Sequence, residues 1–144
     1  MNHVFKFKRI IISTLLAMVV MMILSFVWHG LVLNDFKNLT LAFPVFIFLS
    51  CIVYFLISLA INFILFKIDF QEHQTTKRIL MGGVVGFSIY LLVFTLGLSY
   101  EERGMKHIIS DFGWQMFEQG IGALVVDFCL HIYQRIDKFE TSED

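Results

Sequence analysis

Four apolar runs, divided by short polar islands, restrict the fold of this chain more than any other feature of its sequence. They cover residues 10–33, 43–66, 79–98 and 108–133, and the first opens with "IIISTLLAMVVMMILSFV". An α-helix rises about 1.5 Å per residue and needs about 20 apolar residues to cross a bilayer. Each run has that length, which is too long for a strand, and the intervals are too short to be domains. The expected fold is an all-α integral membrane protein. Its four transmembrane helices form one antiparallel bundle across residues 1–144, with a polar C-terminal tail at 134–144.

Composition agrees. Of 144 residues, 58% are hydrophobic and only 16% charged, too few polar side chains to cover a water-soluble core of this size. The net charge of -1 is spread over the ends of the apolar runs, with no basic patch, which excludes a nucleic-acid partner. The lipid bilayer is the expected surrounding. Lys6, Lys8 and Arg9 ahead of an apolar run also describe a secretory signal peptide. That run is longer than a typical signal core, however, and no small-x-small cleavage site precedes His29, so a retained first helix is expected.

The lysine and arginine distribution sets an expected orientation. With the N-terminus inside, Lys6, Lys8, Arg9, Lys67, Lys77, Arg78, Arg135 and Lys138 fall on the inner side, and Lys37, Arg103 and Lys106 on the outer. Both termini are then cytoplasmic, in a bacterial inner membrane. Asn34 and Asp35 read as terminators of the first helix, and Pro44 sits at the entrance to the second, where its missing N–H costs nothing. Cys51 and Cys129 lie in apolar runs at different depths, which makes a disulfide unreachable and leaves both as small apolar side chains.

An ionisable group inside a membrane is a functional-site hypothesis by default, since an unpaired charge in hydrocarbon costs several kcal/mol. The last run, "DFGWQMFEQGIGALVVDFCLHIY", concentrates such groups. At 100° per residue Asp111, Gln115, Glu118 and Gly122 share one stripe, with Glu118 close to the bilayer middle. Asp127 and His131 fall on nearly the opposite side near the inner end, as an interfacial pair that snorkels or caps the helix. His29 lies at a depth overlapping Asp111 and Gln115. If the first and last helices touch, Trp28, His29, Asp111, Gln115 and Glu118 form a polar site for a proton, a small cation or a lipid. The bland alternative makes Trp28 an interfacial belt residue, His29 the holder of one interhelical hydrogen bond and Gly30 a packing residue.

On the second helix Ser50, Tyr54, Ser58 and Asn62 recur at steps of four, and Asn62 is a secondary inner-side candidate with Asp127 and His131. Gly82-x-x-x-Gly86 on the third, with Gly97 on a similar side, matches the small-xxx-small pattern of closely approaching helices. Both stripes read as packing seams. His29 and His131 sit near opposite membrane faces and cannot ligate one haem iron. No H-x-x-x-H or C-x-x-C pair suggests zinc. No cofactor or metal is expected.

Trp28-His29-Gly30 followed by Asp35-Phe36, four short crossings and a glycine-containing last helix resemble small bacterial four-helix integral membrane proteins of unknown function. The resemblance implies the fold and no site. Its last helix is richer in acidic residues than that of the group it resembles.

Three functions compete. The first is a non-enzymatic accessory or interaction subunit, working as a homo-oligomer or with a membrane protein partner, and it rests on the absence of a catalytic constellation. The second is a small transporter or channel with an outward-facing polar site at Glu118, Gln115, Asp111 and His29. The third is a lipid- or quinone-binding protein or intramembrane enzyme using the aromatic corner of Trp28, Phe36, Tyr100 and Trp114. No nucleophile with an adjacent base supports the enzyme.

Overall fold

The computed structural model describes residues 3–39, 41–67, 75–95 and 105–140. They form four α-helices: α1 (His3–Phe26), α2 (Phe43–Lys67), α3 (Thr75–Thr95) and α4 (Met105–Glu140). A π-helical turn, Val27–Val32, extends α1, and a 3-10 turn, Asp35–Asn38, leads toward α2. The expected loops at 68–74 and 96–104, with Gly97, Tyr100 and Arg103, and the last residues of the tail lie outside the described residues.

Three helices are long and apolar enough to cross a membrane, over Phe7–Val32, Phe43–Lys67 and Thr75–Val93. The fourth expected crossing, α4, does not reach the same apolarity. At 36 residues it is the longest described helix, about 54 Å, and Glu118, Gln119 and Asp127 along it are buried. It occupies the centre of the bundle, packed most extensively on α3, then on α1, and also touching α2; α2 and α3 meet only narrowly, and α1 does not reach α3.

The packing is inverted relative to a water-soluble bundle. Exposed positions are held by residues such as Leu31, Phe48, Phe63, Leu80 and Phe128, whereas Ser13, Thr14, Ser58, Asn62, Glu118 and Gln119 are buried. In lipid an apolar exterior costs nothing, and helices associate through small residues and interhelical hydrogen bonds. Ala17, Met21, Ile61, Leu65, Ala123 and Val126 form the apolar part of the core. Both cysteines are free; Cys129 is buried, and Cys51 lies 3.6 Å from the Met22 sulfur.

Glycines set the α3–α4 distance. A Cβ on Gly86 would lie 2.6 Å from the Gln115 carbonyl oxygen, and one on Gly82 would lie 2.7 Å from Ala123 Cβ, so only glycine allows this approach. The small-xxx-small stripe is therefore a seam inside the protomer. Between α1 and α2 the tie is polar: Asn62 Nδ2 donates to the Ile10 carbonyl and to Thr14 Oγ1, each at 3.1 Å, and to Ser13 Oγ. Asn62 thus belongs to a packing seam.

Candidate functional site

The π-turn builds the first part of the site. Leu33 N–H donates to the Trp28 carbonyl at 2.8 Å, the i to i+5 bond that widens the helix by one residue. Asn34 follows in the left-handed region with φ of 57°, a conformation Asn tolerates better than most side chains, and the chain reverses. Phe36 then folds back against Gly30, where a Cβ would lie 2.8 Å from its ring, and joins Phe26, Phe43 and Phe46 in an aromatic cluster. Phe36 is therefore apart from the expected corner with Trp28 and Trp114.

The two residues of the Trp28-His29 pair go different ways. Trp28 Nε1 donates to Asp111 Oδ1 at 3.2 Å, and its ring stacks on Trp114 with centroids 4.4 Å apart and planes within 6°. His29 Nδ1 lies 2.9 Å from Asp35 Oδ2 instead, closing the π-turn onto the 3-10 turn. Asp111 is shared with His107, one turn earlier on α4, at 3.3 Å. The first and last helices do meet, yet Trp28, not His29, bridges them, so the imagined contact of His29 with the Asp111–Glu118 stripe is replaced by one with Asp35. His107 was not singled out from the sequence, although its spacing of four from Asp111 is the ordinary signal for a helix-face pair.

One turn beyond Trp114 lies Glu118, with 0% of its surface exposed. Its Oε1 accepts from Gln119 Nε2 at 3.4 Å, while Oε2 has no hydrogen-bond partner. The Tyr54 hydroxyl from α2 and the Trp114 indole are its polar neighbours, and Ser25 from α1 stands beside Tyr54. Tyr54 and Trp114 both face the carboxyl as hydrogen-bond donors, but neither closes to full hydrogen-bond geometry on Oε2, and Trp114 Nε1 and Gln119 Oε1 also lack partners. Among the described residues no lysine, arginine or histidine forms an ion pair with Glu118. Gln115 meets α3 through its backbone carbonyl, against Gly86. Along α4, Trp114 with its Trp28 stack falls between Asp111 and Glu118.

At the opposite end Asp127, 5% exposed, forms a salt bridge with Arg78 of α3. His131 Nδ1 lies 3.3 Å from Asp127 Oδ1 and 3.4 Å from Arg78 Nη1. The pair expected to snorkel at an interface is instead a cross-helix ionic cluster, because α3 presents a guanidinium to it. Arg78 was read from the sequence only as a flanking positive charge.

Among the described residues no three His, Cys, Asp or Glu side chains converge on a common metal position. The chain matches no protein-family model, no curated protein and no solved structure.

Proposed function

We propose that this is a four-crossing integral membrane protein of the bacterial cytoplasmic membrane, with both termini cytoplasmic, that takes up and releases a proton at Glu118 and thereby moves a proton or small cation. The observation that carries the reading is a fully buried carboxyl with no counter-charge beside it among the described residues and one oxygen unpartnered. A fixed negative charge in such a place costs several kcal/mol, so the group holds its charge only while something mobile neutralises it. The α4 crossing is supported by its packing against three other helices, which surrounds its polar face with protein. The lysine and arginine asymmetry supports the orientation. A bundle this small needs an oligomer to complete a pathway.

In this reading the stacked Trp28 and Trp114 act as the cover of the site, and movement of the π-turn that carries Trp28 opens it. Proteoliposomes with an imposed pH gradient and an internal pH dye test the reading. Wild-type protein should collapse the gradient faster than empty vesicles, and Glu118→Gln should return the rate to that of empty vesicles. Flux unchanged by the substitution would remove Glu118 from the pathway.

A second reading, the accessory or interaction subunit, is favoured by a groove of about 480 Å³ between α1 and α2. Met18, Met22, Phe26, Leu31, Ile47 and Cys51 line it, an apolar surface suited to another membrane helix. Native mass spectrometry of gently solubilised protein would show this as a co-purifying chain.

A further inference from the structure

We infer that the buried polar cluster at Glu118 is a binding site for a small monovalent cation of sodium size, which enters as the carboxyl proton leaves. The inference rests on the reading of Glu118 as the ion-handling group and adds the identity of the ion and of the residues that hold it.

The argument starts from atoms without partners. Two consecutive residues of α4, Glu118 and Gln119, are both 0% exposed, and each keeps one oxygen, Oε2 and Oε1 respectively, without a hydrogen bond. Buried acceptors in proteins are nearly always satisfied, so two together indicate a group that belongs there. Gln119 Nε2 donates to Glu118 Oε1, and this leaves the amide carbonyl oxygen as its unpartnered atom. The Tyr54 hydroxyl from α2 neighbours both the carboxyl and Ser25, a hydroxyl from α1. The Glu118 carboxylate, with the Gln119 amide beside it, thus adjoins the phenol of Tyr54 and the hydroxyl of Ser25 from two other helices.

The chemistry of that set selects the ion. All four are hard oxygen ligands, which suit alkali and alkaline-earth cations and disfavour soft metals. One carboxylate cancels one positive charge. A divalent ion would leave a net charge in a buried site, whereas a monovalent ion leaves none. Glu118 and Gln119 are both fully buried, and a close-packed interior favours a small ion over a large one. The proton balance is simple. The neutral carboxylic acid releases its proton to water as the cation binds, and the resulting carboxylate and cation form a neutral pair. Among the described residues Tyr54 is the titratable side chain that faces Glu118 from a packed helix, and α1 contributes Ser25 beside Tyr54.

The experiment uses purified full-length protein in detergent in weakly buffered, sodium-free medium with a pH indicator. Sodium chloride is added, with choline chloride at equal ionic strength as the control, and thermal unfolding is followed in parallel. The expected result is release of about one proton per protomer on sodium addition and a rise in melting temperature, with no response to choline. Glu118→Gln should abolish both responses. Gln119→Leu removes a ligand oxygen but keeps the acid, and should weaken sodium binding at least about tenfold. If wild-type protein releases no proton and gains no stability with sodium, the cation site is wrong, whatever the vesicles show. Glu118-dependent proton flux without a sodium response would leave the proton reading standing alone. A sodium response without flux would retain the site and reject transport.

Discussion

Glu118 and Asp127 are two acids on one helix, nine residues apart, both buried, and only one has its charge answered in place. Asp127 is held by Arg78 across the α3–α4 seam, with His131 beside it. Glu118 meets an amide, a phenol and an indole, none of them cationic. The first arrangement is a structural clamp, because a buried ion pair is costly to break once formed. The second provides polar company without neutralisation, which suits a group whose partner comes and goes. The same helix therefore carries, at positions equally far from its two ends, one acid paired in place and one with no cation beside it among the described residues.

Breaking the fixed pair should give the largest effect. Arg78→Leu strands Asp127 and should cost about 3–5 kcal/mol of unfolding free energy in detergent, while Arg78→Leu with Asp127→Leu should recover most of the loss. If single and double variants unfold alike, Asp127 does not depend on Arg78. Next comes the glycine seam between the two sites. Gly86→Leu forces α3 away from the Gln115 carbonyl and should cost about 1–3 kcal/mol, and it should also make Glu118 reactive toward water-soluble carbodiimide. Asn62→Leu, which touches neither acid's hydrogen bonds, removes the polar tie of α1 to α2 and should cost about 1 kcal/mol by the same unfolding assay. The smallest effect sharpens the comparison most. Glu118→Gln should change stability by less than about 0.5 kcal/mol in sodium-free medium, since no fixed charge is stranded, whereas Asp127→Asn should be several times more damaging.

Much of the fold could be read from run length alone, because in lipid every backbone polar group must be satisfied within a helix. The run at 43–66 became Phe43–Lys67 with hardly a change. The ends of α1 and α4 extend further than hydropathy suggests, since lysine, glutamine and glutamate continue a helix into water as readily as leucine does in lipid. The π-turn was hidden: Gly30 and Asn34 mark an ending, but nothing local says that Leu33 bonds to Trp28 rather than to His29.

Of the site, the burial of Glu118 followed from its depth and stripe. Its neighbours did not. Gln119 lies 100° round from Glu118 and so falls off a stripe drawn on one face, yet α4 is enclosed on several sides and both are buried. Tyr54 was legible as part of a seam on α2, and its length lets it reach the acid from there. Arg78 was concealed by its place at the edge of an apolar run. The antiparallel register that brings Gly82 to Ala123 and Gly86 to Gln115 also brings Arg78 to Asp127, and that register depends on which helices touch, which no single run reveals.

The central claim is that Glu118 carries an exchangeable charge and Asp127 a fixed one, and infrared difference spectroscopy of protein reconstituted in lipid tests it most directly. In sodium-free medium at neutral pH the wild type should show one carboxylic-acid C=O band that disappears in Glu118→Gln and persists in Asp127→Asn. A spectrum with no such band, or one whose band is lost with Asp127 instead, would contradict the account.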